Sequence, residues 1–206
     1  MSIVKLNNRG VRSASTFGSI TSLGSMVFIK KQTASSSSTI SFVDGTSDVV
    51  LDDTYKEYLF TFKDIHPATD STDFSFQGNV AGGSGYNETI TSSFFRAYHG
   101  DDDGGATLAY YDTLDQAQGT GFQALCENVG NDNDSQLSGM LHLFNPSNTT
   151  FVTHFMARTV IHAESDYAVE NYIAGYFNTT SAIDEIQFKM DSGNIDAGDI
   201  CLYGIN

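Results

Sequence analysis

The chain has 206 residues, with 15 Phe, 10 Tyr, 2 Pro and no Trp, and a formal net charge of −15. That length suits one all-β domain with enough chain to bury a core. The acid excess works against nucleic-acid phosphates and anionic membranes, and no window nears the roughly 18 uninterrupted apolar residues of a membrane span, so neither nucleic-acid binding nor membrane insertion is expected.

Residues 1–25 lack sustained periodicity and are rich in Ser, Gly and Asn, which predicts an N-terminal arm. The first acidic residue is Asp44, so residues 1–43 carry +5 and the remaining 163 carry −20. The basic front end, with Lys5, Arg9 and Arg12, is either solvated or docks on an acidic surface. Phe17 leads the apolar residues that docking would bury, with Ile3, Val4, Leu6, Val11 and Ile20.

From Met26 onward, strand-like stretches arrive in series: Met26–Gln32, Thr39–Val43, Glu57–Lys63, Asp73–Gly78, Thr89–Tyr98 and Thr107–Asp112, then Phe122–Glu127, Leu137–Phe144, Phe151–His162, Asn171–Asn178, Asp184–Met190 and Asp199–Ile205. Turn clusters such as "DGTSD", "AGGSG", "GDDDGG" and "NPSN" separate most of them. The best helical stretch, "TLDQAQGTGFQAL", carries two glycines that argue against a helix. The expected fold is an all-β, jelly-roll-like antiparallel β-sandwich over residues 26–206, preceded by the extended arm.

The last two strands differ in kind. In "DEIQFKM", Ile186, Phe188 and Met190 alternate with Glu185, Gln187 and Lys189, the period of a half-buried strand. "DSGNIDAGD" reads as a turn. "ICLYGI" is apolar on both sides, Ile200 and Leu202 against Cys201, Tyr203 and Ile205, so it expects cover on both faces. A jelly roll returns its last strand to the core, which covers Ile200 and Leu202. Tyr203 and Ile205 are then candidate subunit contacts in a homo-oligomer, or meet the arm.

Motifs for chemistry are missing. There is no Gly-x-Ser-x-Gly elbow, no phosphate-binding loop ending in Gly-Lys-Ser/Thr, no His-Glu-x-x-His and no Cys-x-x-Cys. His154 and His162 share a strand face about 25 Å apart, too far for one metal. "GDDDGG" and "NDND" offer carboxylates on turns but not the twelve-residue calcium loop. Cys126 and Cys201 form no disulfide framework, and no charged segment followed by an apolar run predicts a secretory signal. No catalytic, cofactor-binding or metal-binding residues are expected, and no cofactor. Sugar stacking on Tyr110, Tyr111, Tyr167, Tyr172 or Tyr176 is the competing use of the aromatics, with the loops Gly82–Gly85, Gly100–Gly105 and Asn128–Gln136 as its distal grip.

Phrases along most of the chain resemble a family of small virion structural proteins of marine tailed bacteriophages. They include "VKLNNRGVRSASTFGSI", "MVFIKKQTASSSSTISFVDG", "YKEYLFTFKDIHPATDSTDFSFQGN", "LHLFNPSNTTFV" and "AGYFNTTSAIDEIQFKMDSGNIDAGDICLYGI". The resemblance implies a non-enzymatic tail, fibre-like or capsid-decoration protein, assembled in the host cytoplasm, with other virion proteins as partners. It brings no catalytic residues. The alternative is a lectin-like receptor-binding module for host surface glycans.

Overall fold

A computed structural model describes residues 25–206. They form thirteen strands, β1 (Met26–Thr33), β2 (Ile40–Val43), β3 (Glu57–Pro67), β4 (Phe74–Val80), β5 (Ile90–Gly100), β6 (Ala106–Tyr110), β7 (Ala117–Gly119), β8 (Gln123–Ala124), β9 (Leu137–Phe144), β10 (His154–Ala163), β11 (Tyr167–Phe177), β12 (Ile183–Met190) and β13 (Ile195–Ile205). There is no helix among the described residues.

The strands make two antiparallel sheets. The large one runs β1-β13-β3-β9-β10-β11-β5-β6, with β7 beside β5, and the small one runs β2-β12-β4-β8. Four nested pairs, β1 with β13, β2 with β12, β3 with β9 and β4 with β8, are those of a long hairpin rolled up on itself, the jelly roll. Two insertions depart from the minimal roll: β5–β7 leaves between β4 and β8, and β10–β11 leaves between β9 and β12. Both join the large sheet on the β9 side, giving it nine strands against four in the small sheet.

The core between the sheets is aromatic. Phe188 of β12 is fully buried, with Phe60, Phe62 and Phe74 ring centroids 5.3–5.8 Å away and Phe42 and Phe76 slightly farther. Ile186 and Met190 are buried on the same side, and Glu185, Gln187 and Lys189 are not, which is the alternation of "DEIQFKM". The strand β13 lies between β1 and β3 inside the large sheet: Ile200 and Leu202 are wholly buried, and the Asn206 N–H donates to the Ser25 carbonyl.

Two sequence readings change. "DSGNIDAGD" turns only over its first four residues; β13 begins at Ile195 and climbs through two register shifts beside Gly198. Gly198 has φ +116°, and a Cβ there would sit 2.6 Å from the Asp64 carbonyl oxygen, so the bulge requires glycine. "FQALCE" is a two-residue strand, β8, followed by irregular chain. That chain is held by a side chain and by isolated backbone bonds: Thr159 Oγ1 donates to the Leu125 carbonyl at 2.5 Å, and the Leu125 and Val129 amides donate to the Phe74 and Thr72 carbonyls at 2.8 and 2.9 Å. Leu125, Cys126 and Val129 are thereby pressed onto the inner face of the sheet extension, each fully buried.

Candidate functional site

The outer face of the large sheet, turned away from the small sheet, is the candidate interaction surface. Residues paired across an antiparallel ladder point to the same side, so the registers assemble rows. One row runs Phe28, Tyr203, Leu59, His142, Met156 and Ala174 across β1, β13, β3, β9, β10 and β11. Below it runs Met26, Ile205, Glu57, Phe144, His154 and Tyr176. Above it run Cys201, Thr61, Met140, Arg158, Tyr172 and Phe95. Exposure is high for apolar side chains in ordered strands: Met156 is 57% exposed, Phe28 56%, Met26 53% and Met140 45%.

Local packing builds this face. Phe28 meets Tyr203 edge-on at 5.6 Å, and Phe95 stacks on Tyr172 at 4.8 Å. Arg158 pairs with Glu170 and lies over the Tyr172 ring; its hydrogen bond with the Glu170 carboxylate holds the Arg158 guanidinium above its usual pKa range. Leu59 is covered by its neighbours although it stands outside the core cluster.

Charge marks the face as well. Residues 25–206 hold 7 of the 10 basic and all 25 acidic residues, a net −18. The three rows contain a single carboxylate, Glu57. Like-charged bodies repel, so three rows with one carboxylate, bordered by Glu170 and Asp199 at the next register positions, are where such bodies can meet. Aromatics, Met and Arg in place of Lys, Glu and Asp are the composition of an interface core.

The sequence-predicted positions fall as follows. Tyr203 and Ile205 lie on this face in adjacent rows, on the side opposite Ile200 and Leu202. Tyr172 and Tyr176 share it, and Tyr110 extends it opposite Phe95. Lys5, Arg9, Arg12 and Phe17, with the rest of the predicted arm up to residue 24, lie outside the described residues. His142 and His154 sit within the rows, while His66 and His99 contact loop oxygens of Asp132 and Asp103. No three His, Cys, Asp or Glu side chains converge as a metal site among the described residues.

Of the three loops predicted to grip a glycan, two meet at one end of the sandwich. Asp101 N–H donates to the Asp166 carbonyl, and Glu164 N–H to the Asn128 carbonyl, tying Gly100–Gly105 and the start of Asn128–Gln136 to the β10–β11 turn. Gly82–Gly85 follows Val80 at the opposite end of β4 from Phe74, whose amide end adjoins Cys126.

Between the joined loops and the inner face of β5, β10 and β11 opens a cleft of about 210 Å³ lined by Arg96, Tyr98, Glu127, Asn128, Glu164 and Tyr167. Arg96 donates to Glu127 at 2.5 Å and to the Tyr111 hydroxyl, its guanidinium 3.8 Å from the Tyr111 ring centre. Behind Glu127, Asp73 accepts from the Asn128 amide at 2.9 Å. Burial, reinforced by Asp191 and Glu127, raises the Asp73 carboxyl to about 6. Arg96, Glu127, Met140 and Met156 escape sequence reading. Arg96 and Glu127 are thirty-one residues apart, and an exposed Met in a strand looks the same as a buried one.

No family model matches the chain, and neither the curated proteins nor the solved structures provide a match.

Proposed function

We propose that this chain is a non-enzymatic structural subunit of a tailed-phage virion, placed in a tail appendage or as a capsid decoration and assembled in the host cytoplasm. Copies pack against one another through the outer face of the large sheet, and the basic arm joins the body to other virion proteins. One observation carries the reading: a body of net −18 presents a broad sheet face of Met and aromatic side chains with a single carboxylate in three rows. Exposed apolar patches of this breadth, rimmed by charge, belong to interaction sites. The phrase-level resemblance to phage structural proteins agrees with it. Jelly rolls serve capsids and lectins alike, so the fold is an analogy and the face is the argument.

The arm suits attachment through repeated contacts, each weak, whose sum holds the body in place. Deleting residues 1–25 tests this part. The shortened chain is expected to keep the melting transition of the full chain and to be missing from purified particles made in its presence. Its normal incorporation removes the arm from the account, and particles that lack the full-length chain by mass spectrometry refute the virion assignment.

A further inference from the structure

The cleft at the joined loops lies on the inner face of the large sheet, opposite the proposed interface. It is built for something smaller than a protein partner. Val169 and Ala163 form an apolar, buried floor, and Tyr98 and Tyr167 stand above it edge-to-face at 5.3 Å. The rim alternates donors and acceptors: the Arg96 guanidinium and Asn128 amide against the Glu127 and Glu164 carboxylates and the Ser165 hydroxyl.

We infer that this cleft binds one neutral pyranose ring, as a free sugar or as the end of a glycan. Three properties select that chemistry. The apolar floor and tyrosine rings match the C–H face of a sugar. Two carboxylates against one guanidinium leave a net negative rim, which disfavours phosphate, sulfate and carboxylated sugars. A cation would satisfy the carboxylates, yet it offers no acceptor to Asn128 Nδ2 at the exposed rim, whereas a hydroxyl both donates and accepts.

The site is also fixed before any ligand arrives. Arg96 is clamped by Glu127 and Tyr111, and the opposite wall is pinned where Val129 bridges both Thr72 and Ala163. Little ordering remains to be done on binding. The room suits one ring, not a chain of them. This inference does not rest on the assembly reading, and the two fail separately.

Amide chemical shifts of the full chain, titrated with methyl glycosides of glucose, galactose, mannose and N-acetylglucosamine, test it, with glucosamine and glucose 6-phosphate as charged arms. At least one neutral glycoside is expected to give saturable millimolar shifts centred on Asn128, Ser165 and Tyr167. Glu164→Gln, at an exposed turn position, should weaken them about tenfold. Tyr167→Ala should weaken them further; its unchanged spectrum elsewhere shows that it folds. Saturable shifts absent for every neutral glycoside, present only for a charged sugar, or centred away from the cleft overturn the inference.

Discussion

Asp73→Asn offers a test of how the cleft end of the sandwich is held. The Asp73 carboxylate accepts the Asn128 amide, and the Asp73 backbone N–H donates to Asp191 Oδ1 at 3.0 Å, so its side chain is tied to a turn and its backbone to a second carboxylate. Burial and the neighbouring acids raise its pKa from 3.8 to about 6. The folded state therefore binds this proton more tightly than the unfolded chain does. The contribution of Asp73 to stability falls as pH rises from about 4 to about 6, and the penalty is complete above that window. A shift of this size corresponds to at most ~3 kcal/mol, which solvent around the partly open carboxyl reduces to about 1–2. Asparagine keeps an oxygen acceptor for Asn128 and carries no charge. Urea unfolding at pH 8 should find Asp73→Asn more stable than the parent by about 1–2 kcal/mol, and the gain should vanish near pH 4. Asp52, Glu170 and Asp199, whose pKa values are depressed, act in the opposite sense as pH falls, but they are common to both proteins and cancel in the difference. A variant destabilised equally at both pH values would refute the reasoning, because the carboxylate would then be a hydrogen-bonding post and not a buried charge.

Phe188→Ala removes the ring on which Phe60, Phe62 and Phe74 converge; it should cost about 3–5 kcal/mol in denaturant unfolding, and a loss under ~1 kcal/mol would contradict a core centred there. The two thiols should separate kinetically. Cys126 is fully buried and its thiol is pushed up by that burial, so it should resist a thiol reagent until the chain unfolds, while Cys201 reacts once the outer face is free of a partner. Fast labelling of Cys126 in the folded protein would show that the 122–130 segment is not held on the sheet.

The sandwich was readable where one residue type per face recurs. Ile186, Phe188 and Met190 inside, with Glu185, Gln187 and Lys189 outside, specify β12 without help from the rest of the chain. "ICLYGI" showed that its strand needs two covers, and the fold supplies one of them through Ile200 and Leu202. Where backbone irregularity decides, local pattern fails. Ile195–Asp199 joins β13 because bulges and a left-handed Gly198 let turn-like residues pair with β3. Residues 125–130 leave the ladder and are held instead by the Thr159 hydroxyl and by isolated bridges from Val129 to Thr72 and Ala163. The outer face was half legible: Tyr203 and Ile205 announce it, but Met140 and Met156 acquire meaning only through register. The cleft was less so. Tyr167 is a sugar-stacking candidate and Asn128 opens a candidate gripping loop in the sequence alone, yet Arg96 and Glu127 meet only because β5 is carried beside a loop thirty-one residues later.

The central claim is that the acid-poor outer face is where copies of this chain meet. Sedimentation velocity of the full chain beside Met156→Glu tests it most directly, because Met156 is 57% exposed and its replacement leaves the core intact. The account predicts an oligomer for the parent and a dissociation constant at least about tenfold weaker for the variant, since each copy then brings an unpaired carboxylate into an apolar contact. A parent that stays monomeric at every concentration, or an oligomer indifferent to Met156→Glu, would contradict it.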